Sequence, residues 1–294
     1  MRVLVVRLSA MGDVVHGLAA MTALRAARPD DELHQVVQAP FAPLLEGLDL
    51  TSVIAHDRKG GPRAFLRTAR RLRALRCDVA LDLQGNWKSA ALAWASRAPR
   101  RIGSVRAQRR EPSSSRLLNE FVTAPSSHPD DVAWALARVL AEELVPAHPP
   151  VLRASDEECV CEASALRALG VDPLAPFRVL VLADLRDPRA LDAASLQREA
   201  TAARMPVLAL AGPDEPDAAA PPGVAVLRHE RGELRRLIAL GTLGARAGAS
   251  AFAPDKGASH VLAACGLRTT IVHRTTDPAR TGSRHATLSA SPIN

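Results

Sequence analysis

Residues 2–8, Arg-Val-Leu-Val-Val-Arg-Leu, form a nearly continuous apolar run, followed by the short loop Ser9–Asp13 and a helix-like run that begins Val14-Val15-His16. A strand that is apolar on both faces has to be covered on both, as crossover helices cover a parallel sheet. The alternation persists along the chain. Strand-like segments at 2–8, 33–37, 53–55, 79–83 and 101–103 are separated by helix-like segments near 14–28, 40–47, 62–76 and 87–97. This order predicts a parallel sheet flanked by helices. Residues 145–156 carry three prolines, break the pattern and read as a linker. After a helix near 156–169 the alternation restarts, with strands at 178–182, 206–210, 224–226, 249–252 and 269–272 and helices near 192–203, 232–244 and 257–265. The expectation is two α/β units, residues 1–150 and 151–294, with a cleft between them for a ligand too large for one unit. The tail after Thr281 is short and polar and is expected to fray.

A chain of 294 residues with 47% apolar content can bury two cores of ordinary size. No apolar run reaches the roughly 18–20 residues needed to span a bilayer, and the N-terminus does not read as a signal peptide, so a cytoplasmic location is expected. Cys77, Cys159, Cys161 and Cys265 are scattered, and the close pair has one intervening residue, which suits neither a zinc site nor a redox CxxC. Reduced thiols and no metal follow. The formal charge of +7 is concentrated in Arg58, Lys59, Arg63, Arg67, Arg70, Arg71, Arg73 and Arg76, and again in Arg97, Arg100, Arg101, Arg106, Arg109 and Arg110. An anionic partner is the natural inference, either a phosphorylated small molecule or an anionic lipid surface. Nucleic acid fits less well, because the chain has no tyrosine and only 3% aromatic residues for base stacking. The plain alternative for the 58–76 run is an arginine-rich, solvated helix face.

Asp13 stands where the first helix begins. It suits a helix N-cap, and equally a carboxylate placed to take a proton from a hydroxyl nucleophile. The two roles coexist only if one carboxylate oxygen stays free. Lys88, in Asp82-Leu-Gln-Gly-Asn-Trp-Lys88, follows a second buried strand on the same sheet edge, where it is either an exposed lysine or a cation for an acidic acceptor. Glu111, Asn119 and His128 form a loop-rich polar cluster with Arg109 and Arg110. In the second half, Ala253-Pro-Asp-Lys-Gly-Ala-Ser-His260 joins a strand to a helix. The amides of that helix could receive a diphosphate, with Lys256 adding charge and Gly257 allowing close approach. Arg186 or Arg189 could supply a second phosphate contact, and His260 is either a satisfied structural histidine or part of that site. No P-loop or GxGxxG fingerprint is present.

Taken together, RVLVVRLSAMGDVVHGLAAMTALRAARPD (2–30), DLQGNWKSA (82–90), RRIG (100–103), REP (110–112), DKGASHVLAACG (255–266) and TDPARTG (276–282) resemble glycosyltransferase family 9, the ADP-heptose:lipopolysaccharide heptosyltransferases. The resemblance implies two Rossmann-like domains in the glycosyltransferase B arrangement. It also implies an inverting reaction without metal or cofactor, an ADP-heptose donor and an anionic glycolipid acceptor on the inner core of lipopolysaccharide. A monomer in peripheral contact with the inner membrane, and no nucleic acid partner, complete that expectation. Carried over, Asp13 is the general base, Met11 and Gly12 lie beside the donor, and Lys88 and Glu111 lie on the acceptor side, where Asn119 of the same polar cluster is also expected. Asp255, Gly257 and His260 line the donor, and Arg189 and Lys256 are expected beside them as phosphate contacts. The chain departs from the family pattern at Lys256, which replaces a small hydroxyl residue, and at Ala258, which replaces a proline. It also carries Leu182-Ala183-Asp184, Arg189 and Leu191 where the family has Pro-Gly-Ala, lysine and tryptophan, and His273-Arg274 for Phe-Gly. These departures keep two other readings open, a transferase of the same fold using a different nucleotide sugar and an inactive relative that binds a sugar nucleotide or glycan.

Overall fold

The computed structural model describes residues 1–215 and 217–289. The chain divides into two compact units, with the boundary after Ala147 rather than after Pro150.

In the first unit the chain order is β1 (Arg2–Val6), α1 (Met11–Ala27), β2 (Glu32–Gln38), β3 (Ser52–His56), α2 (Gly61–Ala74), β4 (Val79–Asp82), α3 (Trp87–Ala95), β5 (Arg100–Ser104), β6 (Glu120–Val122) and α4 (Pro129–Arg138). The six strands are parallel and ordered β3-β2-β1-β4-β5-β6. Val3, Leu4, Val5 and Val6 are almost wholly excluded from solvent, as a central strand covered on both faces requires. Leu4, Val6, Val36, Leu72, Leu92 and Ala93 belong to one buried cluster on one side of the sheet.

The second unit repeats the plan with α5 (Asp156–Ala168), β7 (Arg178–Val181), α6 (Ala193–Ala202), β8 (Val207–Ala211), β9 (Ala225–Arg228), α7 (Leu234–Arg246), β10 (Ser250–Pro254), α8 (Gly257–Ala264), β11 (Arg268–Val272), α9 (Pro278–Thr281) and β12 (Thr287–Ser289). Its order, β9-β8-β7-β10-β11-β12, matches that of the first sheet strand for strand. In each sheet the chain winds outward from a central strand, then returns to that strand's other side. The direction therefore reverses between β1 and β4 and between β7 and β10, and ligands of such sheets bind beyond the carboxyl ends of the strands at that reversal.

Several elements differ from the sequence-based expectation. The helix expected over 40–47 is a 3₁₀ segment, Ala39–Leu45, because Pro40 and Pro43 withhold amide donors from an α-helix. The loop-rich stretch from Arg109 to His128 contains the three-residue strand β6, and it is followed by α4, which the alternation had not included and which buries Val132, Ala133, Trp134, Leu136 and Ala137. The tail after Thr281 does not fray over its described part, since β12 pairs with β11 and completes the sheet. Residues 290–294 of that tail lie outside the described residues.

Candidate functional site

The reversal point of the first sheet is built around Asp13. Helix α1 begins three residues earlier than the sequence suggests, so Asp13 is the third helical residue and not the N-cap; that position falls to Ala10. Its Oδ2 accepts the Ala10 amide at 3.3 Å, and a carboxylate in the first turn is favoured by the helix dipole. Met11 and Gly12 precede it in the same turn, half-buried. The buried Arg7 guanidinium reaches Asp13 twice, donating from Nε to the backbone carbonyl at 3.0 Å and lying 3.2 Å from Oδ2 through Nη2. Its third nitrogen, Nη1, donates to the Leu83 carbonyl after β4. Burial lowers the Arg7 pKa, while Asp13 and Asp82 pull it back up. Oδ1 of Asp13 has no hydrogen-bond partner among the described residues, and the side chain is 29% exposed. The free oxygen that both roles demanded is therefore present.

The loop after β4 supports this arrangement. Gln84 Oε1 accepts the Leu8 amide at 2.7 Å and so ties the two loops of the reversal together. Asp82 accepts the Gln84 and Gly85 amides through Oδ1 and the Arg109 guanidinium through Oδ2 at 2.6 Å, with both side chains fully buried. Gly85 turns at φ +72°, a conformation that disfavours a side chain, and its backbone lies against that of Arg109. Asn86 caps α3 by accepting the Ser89 amide. Lys88 then stands exposed in the first turn, with no ion pair among the described residues.

The other acceptor-side residues have structural work. Glu111 Oε2 accepts the Trp87 amide at the start of α3 at 2.6 Å. Asn119 accepts the Arg101 amide and donates to the Pro99 carbonyl, each at 2.7 Å. Pro99 precedes β5, so Asn119 lies at the amino end of that strand and is not brought to the edge that carries Asp13. His128 caps α4 by accepting the Asp130 amide and packs edge-on against His16 of α1.

At the reversal point of the second sheet, the loops after β7 and β10 carry the donor-side residues. Asp255 is buried and its carboxylate is heavily engaged. His260 Nε2 lies 2.9 Å from Oδ1, Thr281 donates to Oδ2 at 2.9 Å, and His273 Nδ1 stands 3.4 Å from Oδ2. Burial pushes the Asp255 pKa up, but the bonds from His260, His273 and Thr276 outweigh it and hold the carboxyl below its ordinary value. Asp255 thus ties the loop before α8 to the segment after β11, and His260 of α8 is one of its partners.

Gly257 opens α8, whose N-cap residue Lys256 supplies no side-chain acceptor. Lys256 Nζ is paired with Glu215 Oε1 and lies 4.0 Å from Asp187 Oδ2. Arg189 forks onto Asp187, Nε to Oδ1 at 2.9 Å and Nη2 to Oδ2 at 2.7 Å, while Nη1 donates to the Asp255 carbonyl at 3.1 Å. Those bonds from Arg189 draw the Asp187 carboxyl down to about 2. Asp184 turns inward onto its own loop and accepts the Arg186 amide.

Arg7, Asp82, Gln84, Asp187 and Glu215 were not singled out from the sequence. A signal existed for Arg7 and Asp82, charged residues at the ends of apolar strands. Nothing near Lys256 in the chain points to Glu215, which is 41 positions away.

The two basic runs diverge. On α2, Ala64, Thr68 and Leu72 face inward, while Arg63, Arg67, Arg70, Arg71 and Arg73 are exposed, as is Arg76 beyond it; none has an ion pair among the described residues. In the second run Arg109 is buried on Asp82, Arg100 pairs with Glu120, and Arg101 donates to the carbonyls of Leu117 and Ala98. Half of that run therefore serves the fold and not a partner. No helix among the described residues is long and apolar enough to cross a membrane.

Comparison with known proteins places this geometry in a family context. The family model for glycosyltransferase family 9 (heptosyltransferase) matches residues 65–161. The lipopolysaccharide core heptosyltransferase OpsX of Haemophilus influenzae is 26% identical over 151 residues, an alignment covering 45% of this chain and 43% of that protein. The chain thus matches less than half of that relative's length. A solved glycosyl transferase family 9 protein from Veillonella parvula superposes with a TM-score of 0.79 at 16% identity, covering 98% of this chain and 85% of that one. The E. coli heptosyltransferase WaaC with ADP superposes with a TM-score of 0.72 at 21% identity, covering 99% and 94%. The resemblance to family 9 read from the motifs is borne out, and the fold is the two-domain α/β architecture of those proteins.

Proposed function

From this likeness to glycosyltransferase family 9, we propose that the chain is an inverting glycosyltransferase that moves heptose from ADP-heptose to the inner core of lipopolysaccharide or a related glycan. The observation that carries the proposal is Asp13, with Oδ2 held by Arg7 and Oδ1 free at the carboxyl edge of the sheet. In the reaction Oδ1 takes the proton of the acceptor hydroxyl as its oxygen attacks the anomeric carbon. The bond from that carbon to the diphosphate breaks on the opposite face, so configuration inverts and ADP leaves with the bonding electrons. Lys88, exposed and without an ion pair among the described residues, would hold an anionic group of the acceptor. The exposed arginines of α2 suit an anionic glycolipid or the membrane surface that carries it. The amides at the start of α8 are suited to the departing diphosphate, where fixed donors stabilise developing charge.

The test is transfer from ADP-heptose to heptose-deficient lipopolysaccharide by the wild type and by Asp13→Asn. The variant is expected to lose roughly 10²–10⁴-fold in turnover, as removal of a general base does, while binding ADP as before. Undiminished turnover would remove Asp13 as the base. A second reading, a relative with another nucleotide sugar or with no transfer activity, draws on the internal pairing of Arg189 and Lys256 with carboxylates. Calorimetric titration with ADP, UDP and GDP separates the two: selective ADP binding favours the ADP-sugar donor, and no binding of any favours the inactive relative.

A further inference from the structure

Where α8 begins, four charged groups from three loops pair off completely. Asp187 takes both outer faces of the Arg189 fork, and Glu215 takes Lys256. The remaining Arg189 nitrogen is spent on the Asp255 carbonyl. The Glu215 side chain is 8% exposed and that of Lys256 17%, so solvent screens their attraction far less than that of a surface pair. Glu215 is itself anchored, since its Oε2 accepts the Gly212 amide at the end of β8 at 2.9 Å. Asp187 is anchored as well, by the Arg189 amide at 3.0 Å. A lysine at the N-cap adds positive charge to the positive end of a helix dipole and supplies no acceptor for the first-turn amides. The position calls for an anion, and here two fixed side chains of the protein supply it.

We propose that Asp187 and Glu215 are internal competitors of the donor diphosphate, occupying the cations it would need and thereby setting the affinity of this site for anionic nucleotides. The inference rests on the reading of this edge as the donor site. Binding a diphosphate then exchanges two internal ion pairs for two external ones, so wild-type affinity for ADP is weak. It also has a shallow salt dependence, since the number of ion pairs is unchanged. Neutralising either carboxylate frees a cation that is already positioned.

The experiment is calorimetric titration of ADP into the full chain as wild type, Asp187→Asn, Glu215→Gln and the double variant, with Lys256→Gln added to Glu215→Gln. Tighter binding by about tenfold in the double variant, and a gain in Glu215→Gln that is lost when Lys256 is also neutralised, are the expected results. Equal affinity in wild type and variants would overturn the inference while leaving the donor reading standing. Binding of ADP by none of them would overturn the donor reading and this inference with it. If the variants do not fold, the wild type decides alone. Its ADP affinity should change by less than about threefold between low and high salt, and a steep loss would mean that unpaired cations meet the nucleotide.

Discussion

Arg7 is the residue on which the Asp13 geometry depends. Its guanidinium joins three points that the backbone brings near one another but does not bind: the Asp13 carbonyl, the Asp13 carboxylate and the Leu83 carbonyl. Arg7→Ala leaves buried acceptors without a donor and is expected to cost about 3–5 kcal/mol in urea unfolding. Arg7→Lys keeps the charge without the planar fork and should restore part of that stability while transfer stays low, because a single ammonium cannot hold the carboxylate and both carbonyls. Full activity in Arg7→Lys would show that charge alone suffices. Asp13 was readable as a carboxylate at the start of a helix with a choice of roles, but the bond it accepts from the Ala10 amide as the third helical residue required knowing where α1 starts. The Ser9–Asp13 loop contains no strong N-cap nearer the strand than Asp13 apart from Ser9, so local capping rules favoured the wrong residue.

At the scale of elements, α3 and α2 each make a separate prediction. The start of α3 is set by Gly85 at φ +72°, by the Asn86 cap and by Glu111 on the Trp87 amide. Gly85→Ala is expected to destabilise the protein by about 1–2 kcal/mol, because an L side chain pays for a left-handed backbone conformation there. An unchanged melting transition would contradict this, and an unchanged KM for acceptor would show that the turn does not position Lys88. On α2 the outward arginines have no ion pair among the described residues, so Arg67→Gln, Arg70→Gln and Arg71→Gln together should leave folding unaltered. They should weaken sedimentation with phosphatidylglycerol vesicles, by about 1 kcal/mol for each charge that meets the surface, more at low salt than at high. Unchanged vesicle binding would return α2 to the solvated face that its composition equally allowed. The second basic run was misjudged because composition cannot distinguish an arginine that faces solvent from one, such as Arg109, that is buried on an aspartate.

For the whole molecule, acid should expose how much the second unit relies on held carboxylates. Hydrogen bonds from Arg235, supported by the Ser155 amide, draw Glu158 down to about 2 from 4.5, and Asp187 reaches about 2 from 3.8. Both pKa values are lower in the folded state, so between about pH 5 and pH 2 the unfolded chain binds more protons and stability falls as pH falls. Glu158→Gln should flatten that loss in melts recorded across this window, and an unaltered slope would mean that Glu158 does not contribute to it. As to what was legible beforehand, the apolar periods and the prolines determined two α/β units, most of their helices and strands but not β6, α4 or β12, and the strand-to-helix junctions that carry Asp13, Lys88 and residues 255–260. These are local properties, since burial on both faces of a strand, and turn chemistry, are encoded in neighbouring residues. Only the tertiary structure decided that Arg7 grips Asp13, that Asn119 lies at the far end of its strand, that Asp255 is saturated, and that Glu215 answers Lys256 from 41 positions away. Charge pairing depends on distance in space, and the spacing of charges along the chain does not report it.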